Sequence, residues 1–301
     1  MPMSKRLGRG AEDEARRQRW CRRWGWGGQD AAAAPHPGPR RYRGGMGRDR
    51  VRLGTAGPAD GGDALGRARG DRWLPTRLLT SVDEAAEYLD GVGFAVLFPA
   101  ERIQAPSLWE AVAGADAVPF AAGMGPAESQ VWTWKDELPR AGLAWYGKFV
   151  YQRASLLSPR LLAALYMGRG EPTDHEAFEL PDEAHRVVEA LMTGPLSTAA
   201  LREIVGDRGR YDRAMVALQR HLLVTSAGVR EYRTGWPATL VDLTCRLFDV
   251  GGGPDHPYAT RRFLDTMVEA TPGQLARTYR WPVGTARTQL DALPRGRHPT
   301  A

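Results

Sequence analysis

Residues 181–233 read PDEAHRVVEALMTGPLSTAALREIVGDRGRYDRAMVALQRHLLVTSAGVREYR, and this stretch decides the fold. Leu180, Ala184, Val187, Val188 and Leu191 recur at helical spacing until Gly194-Pro195 stops them. Ser197 caps a second, shorter helix with Ala200, Leu201 and Ile204 turned inward, closed by Gly206. A third helix over about 209–221 buries Tyr211, Met215 and Leu218, which turns Arg210, Arg213, Ala217 and Arg220 to the opposite face. Leu222–Thr225 and Val229–Arg233 then flank Ser226-Ala227-Gly228, the pattern of a hairpin with a glycine-containing turn. Three helices and a hairpin predict a winged helix.

The chemistry suits that geometry. A major groove admits one helix, and arginines on its outer face pair with phosphates or bidentately with guanine. Arg208, Arg210, Arg213 and Arg220 are the expected DNA contacts on the helix, Arg230 and Arg233 those on the wing, and double-stranded DNA is the expected partner. The alternative is a winged helix used for packing or protein contact, because residues 182–234 hold 8 Arg against 7 Asp and Glu.

Beyond this module the helical order repeats. Phe263, Leu264, Met267 and Val268 form one face, and Thr271-Pro272 starts a helix with Leu275, Ala276 and Tyr279 inward. Val283, Ala286, Leu290 and Leu293 make a third helix that turns Thr285, Arg287 and Thr288 outward. The chain ends at Pro294–Ala301, where a second hairpin would stand, so this second module is expected without a wing, through truncation or natural loss.

On the N-terminal side, Ser81 and Glu84 make a capping box for a helix over about 81–90, and Phe94–Phe98 before Pro99 reads as a buried strand. A short helix follows over about 106–113, carrying Leu108, Trp109 and Val112. Val131-Trp132-Thr133-Trp134-Lys135 alternates as a strand does, and Leu143–Tyr151 adds further aromatic residues. Ser158-Pro159 opens a helix to about 167. The elements predict a mainly α fold with small β elements, of the α+β class. A tail, 1–72, precedes a mixed aromatic-rich domain, 73–180, and tandem helix-turn-helix modules, 181–236 and 237–301.

Composition bounds the function. Residues 1–72 are Arg, Gly and Ala-rich with few long aliphatic side chains, so they are expected to be disordered. They read as an Arg/Gly nucleic-acid arm or as translation of GC-rich upstream DNA with Met46 an alternative start. They hold 17 Lys and Arg against 8 Asp and Glu, a net of +9, whereas residues 73–301 hold 24 against 27, a net of −3. The total of +6 therefore says little about DNA, and the case rests on a local basic face. Two cysteines, Cys21 and Cys245, offer neither a disulfide framework nor a thiolate zinc site. Without a membrane-length apolar run or a secretory h-region, the protein is expected in the cytoplasm. Glu171, Asp174, His175, Glu176 and His185 fit no zinc spacing, and no phosphate loop, nucleophile elbow or zincin motif occurs, so neither metal nor cofactor is expected.

Ser107–Val112, the stretch Val131-Trp132-Thr133-Trp134-Lys135-Asp136-Glu137-Leu138-Pro139, Gly142–Phe149 and the winged helix resemble the AlkZ-related proteins, relatives of a bacterial DNA glycosylase family built around tandem winged helices. The resemblance covers about residues 73–293, with Trp134–Pro139 its most specific part. It implies a protein that acts on or senses damaged DNA. Glycosylases of that family handle the excised base with Gln-x-Gln or Gln-x-Asp, and the one match here is Gln289-Leu290-Asp291 on a terminal helix, to which the role is not carried over. Any chemical site should centre on Trp132, Trp134, Trp145 and Tyr146 as stacking residues for an extruded base, beside Lys148. Asp136 or Glu137 would assist water and Lys135 would offset charge, making Lys135 and Asp136 the candidate catalytic pair. The alternative places the tryptophans in the core.

Overall fold

The structure is a computed structural model that describes residues 69–100, 103–230 and 237–293. The residues discussed below belong to one compact unit. It is mixed helical with two small antiparallel sheets. Among the described residues no helix is long and apolar enough to cross a membrane.

One strand of the first sheet comes from the aromatic stretch Leu143–Tyr151. Strands β1 (Phe94–Val96), β2 (Trp145–Lys148) and β3 (Ala154–Leu157) lie in the order β1-β3-β2, with Phe94 and Trp145 both opposite Leu157. Side chains alternate across a strand, and here both faces are covered. Phe94, Val96, Trp145 and Leu157 enter one core, while Ala95, Tyr146 and Leu156 enter another. Double-sided burial explains why Phe94–Phe98 reads as an unbroken apolar run instead of an alternating one. The core around Tyr146 is closed by helices α1 (Val82–Val92), α2 (Leu108–Ala113) and α3 (Pro126–Arg140). Ser81 and Ser107 cap α1 and α2, each accepting a backbone N–H from the third residue of its helix.

Helix α3 corrects the sequence reading. Val131–Lys135 is helical, not extended, because the wider window carries Glu128, Val131, Trp134, Lys135 and Leu138 on one buried face behind Pro126 at the first turn. Its aromatic and β-branched residues mimic a strand over five positions, and fifteen helical residues override them. Helix α4 (Pro159–Leu165) starts at Ser158 as expected.

The second part runs α5 (Asp182–Leu191), β4 (Leu196–Ser197), α6 (Thr198–Val205), α7 (Arg208–Arg220), β5 (Val224–Arg230) and β6 (Ala238–Leu243), with the sheet ordered β4-β6-β5. Ser197 and Asp207 cap α6 and α7. The hairpin differs from expectation. Ser226-Ala227-Gly228 is no turn but a bulge within continuous β5, where the register against β6 shifts and Gly228 takes φ 99°. The partner strand is β6, so the boundary expected at 236/237 falls between two strands that one sheet joins. The short helix α8 (Thr244–Leu247) leads to α9 (His256–Thr266), α10 (Pro272–Tyr279) and α11 (Val283–Ala292), the three helices expected there. Residues 69–73, assigned mostly to the tail from composition, are helical. Arg72 donates to the Met267 carbonyl at 2.5 Å and the Trp73 indole to that of Thr266 at 2.7 Å.

The two sheets meet edge to edge through side chains. Thr225 Oγ1 accepts the Tyr146 N–H and donates to the Tyr146 carbonyl, both at 3.0 Å. Gln219 Oε1 accepts the Lys148 N–H at 3.0 Å, and the Trp145 indole donates to Thr244 Oγ1 at 3.0 Å. An exposed strand edge invites foreign pairing. Here the edge of β2 is satisfied by β5 and α7, which ties α7 to the N-terminal sheet.

Candidate nucleic-acid interface

Helix α7 faces two ways. Tyr211, Ala214, Leu218 and Gln219 are buried, whereas Arg208, Arg210, Arg213 and Arg220 are exposed. Arg208 lies 3.7 Å from Asp212 and Arg210 3.7 Å from Glu183, long pairs with both arginines more than half exposed. Such pairs contribute about 0–1 kcal/mol and give way easily to a phosphate. Arg213 and Arg220 make no ion pair among the described residues. Arg230 is exposed at the end of β5, and Arg233 lies outside the described residues. Behind the stripe, Arg202 sits over the Tyr211 ring at 5.1 Å. Burial pushes the Tyr211 phenol up to about 12, so that ring stays neutral.

The aromatic candidates lie elsewhere. Lys135 and Asp136 pair at 2.5 Å with side chains 4% and 11% exposed. Ser226 Oγ donates to the second Asp136 oxygen at 2.8 Å. The Lys135 ammonium also stands 4.9 Å from the Trp132 ring and 5.6 Å from that of Tyr146. Adjacent helical residues ordinarily diverge, so both side chains bend toward β5, and the pair forms a strut between α3 and the bulge. Burial first, then the Asp136 charge, raises the Tyr146 phenol well above its ordinary range. Trp134, Trp145 and Tyr146 are core residues. Stacking a base needs an open ring face, which these three do not offer, and Trp132 is half-buried.

The AlkZ-related family model matches residues 79–261, more than half of the chain. The chain belongs to the AlkZ-related family. No curated protein and no solved structure matches it. The match takes in α3, the first sheet and the whole element order from α5 to β6. It ends before Gln289 and Asp291, which sit on α11, half-buried and exposed respectively.

Sequence reasoning on this AlkZ-related protein missed Thr225, Ser226 and Gln219. Thr225 and Ser226 are short polar residues on β5 and Gln219 lies near the end of α7, and only the edge-to-edge meeting of the sheets gives them these partners. Of the acidic and histidine residues at 171–185, Asp174 has a structural role. Asp174 accepts the Tyr166 hydroxyl and the N–H groups of Arg169, Gly170 and Glu171. Among the described residues no three His, Cys, Asp or Glu are placed to hold a metal ion.

Proposed function

We propose that this protein binds duplex DNA through α5 to β6 as a winged helix, with α7 as the recognition helix and Arg230 on the wing, and that through its AlkZ relationship it acts on or senses damaged DNA. The observation that carries this is the outward arginine face of α7 set on an inward apolar face, in the element order helix, strand, helix, helix, strand, strand. A helix so backed presents one side to a major groove while the sheet holds its angle. Residues 73–301 carry a net charge of −3, so affinity would rest on this local face and on counterion release from it.

A second reading, from a different class, is a non-catalytic transcriptional or structural winged-helix protein. What favours it is the Lys135–Asp136 pair, closed off by Ser226 and by the rings around it. The test is a titration of the full chain with plain and alkylated duplex across salt concentrations, beside Arg210→Ala/Arg213→Ala. The proposal predicts weaker binding and a salt slope shallower by about 2 in the variant. Equal binding by both proteins refutes the role of α7. Free base released from the alkylated duplex excludes the second reading.

A further inference from the structure

Three segments distant in sequence converge at the C-terminal end of α7. The Lys148 N–H bond to Gln219 sets the end of β2 against α7. The chain then reverses through Val150–Arg153, where Tyr151 (φ 49°) and Gln152 (φ 62°) are both left-handed and the Arg153 N–H bonds the Val150 carbonyl at 2.9 Å. Two-residue turns of this hand favour Asn and Gly. Here Tyr and Gln are held in it by Ser155 Oγ, which accepts the Val150 N–H at 3.1 Å and donates to the Gly147 carbonyl at 3.1 Å. Helix α10 packs on the turn and ends at Arg280, itself left-handed at φ 61°.

The three segments that meet here carry basic residues and no acidic ones of their own. Lys148 and Arg153 come from the hairpin, Arg220 from α7, and Arg277 and Arg280 from α10, while residues 145–154, 216–223 and 276–282 contain no Asp or Glu. Arg208 and Arg210, at the other end of α7, each have a carboxylate partner. Arg220 and Arg280 make no ion pair among the described residues. The His221 ring, stacked on Phe178 with centroids 4.3 Å apart, feels both. Burial, then the charges of Arg220 and Arg280, hold its pKa below the usual value, and burial followed by Arg220 lowers that of Arg280.

We infer that Arg220 and Arg280, beside the rigid Val150–Arg153 turn, form a second phosphate-binding surface that continues the α7 stripe onto the last three helices and grips the backbone of the same duplex. The inference rests on the proposed DNA-binding reading. Arg213 and Arg220 lie two helical turns apart and so share a face, which makes the two surfaces continuous. Guanidinium forks match phosphate oxygens bidentately, and a surface held by short backbone bonds loses little freedom on binding. An acidic protein partner would want a large aromatic anchor at its centre, whereas the large apolar side chain these segments leave exposed is Val216.

The test uses the full chain and a short duplex, with Arg280→Gln, Arg280→Lys and Arg210→Gln/Arg213→Gln, each checked for an unchanged thermal midpoint. Arg280→Gln should bind several-fold more weakly near physiological salt, with a slope shallower by about 1, while Arg280→Lys keeps the slope. Wild-type affinity and slope in Arg280→Gln, with Arg210→Gln/Arg213→Gln impaired, overturns this surface and leaves the α7 reading intact. Equal losses in the Gln and Lys variants overturn it too, as does displacement of duplex by poly-glutamate at matched charge. If the wild type binds no duplex, both readings fall together.

Discussion

Helices α3 and α7 both pack against β2 and β5, α3 from one core and α7 from the other, and their lengths of 15 and 13 residues are similar. Each carries cations that look functional in the sequence. In α3 the charges turn inward. Lys135 and Asp136 neutralise each other, and Ser226 takes up the remaining carboxylate oxygen. In α7 they turn outward, and the pairs they make are long and exposed. A charged motif beside aromatic residues is therefore as able to build a strut as a site. What separates the two is the direction of the helix face, set by which residues lie three and four positions away.

The contrast breaks most readily at the strut. Asp136→Ala strands a buried ammonium, and chemical denaturation should show a loss of about 3–5 kcal/mol. A loss under about 1 kcal/mol would mean that the pair is solvated and α3 is not a strut. Ser226→Ala should cost less, about 1.5–3 kcal/mol for a bond to a charged acceptor. Combined with Asp136→Ala it should add little, since both remove one network. On α7 the sign of the experiment reverses. Arg210→Ala/Arg213→Ala should stay within about 0.5 kcal/mol of wild-type stability per exposed substitution while weakening duplex binding. A large drop in stability would show that the stripe is structural.

The smallest effect sharpens the picture at the end of α7. His221 titrates in the unfolded chain near 6.5 and lower in the folded one. Between those values the unfolded state binds more protons, so stability rises with pH through a window just below 6.5 and falls as pH drops. His221→Gln should flatten that part of a thermal-midpoint profile, and an unchanged slope would place its origin elsewhere.

Much of the fold was legible because its signals are local. Ser81, Ser158 and Ser197 announced helix starts, and the apolar spacing of α5 and α10 survived into burial, whereas α9 buries Phe263 but ends at Thr266, short of Met267 and Val268. The family resemblance was readable from Ser107–Val112, Val131–Pro139 and Gly142–Phe149. What failed depended on partners distant in sequence. The alternation of Val131–Lys135 spans only five residues, too few to outweigh the helical period of Pro126–Arg140. The glycine at 228 looked like a turn because a bulge and a turn use the same left-handed freedom. Strand β6 escapes the sequence reading because that reading places the hairpin's second strand at Val229–Arg233, whereas the partner of β5 is Ala238–Leu243, defined by pairing with β4 and β5. At the candidate site, Arg210 and Arg213 could be found from helical period alone, whereas Arg280 joins Arg220 only through the packing of α10 on the β2–β3 turn.

The most direct test of the outward-against-inward account is arginine labelling of the full chain with a dicarbonyl reagent, read residue by residue by mass spectrometry with and without saturating duplex. The account predicts that Arg208, Arg210, Arg213 and Arg220 react in the apo protein and are shielded by duplex, with Lys135 inert to an amine reagent in both states. Undiminished reaction of the four arginines in the presence of duplex, or duplex-dependent reactivity at Lys135, would contradict it.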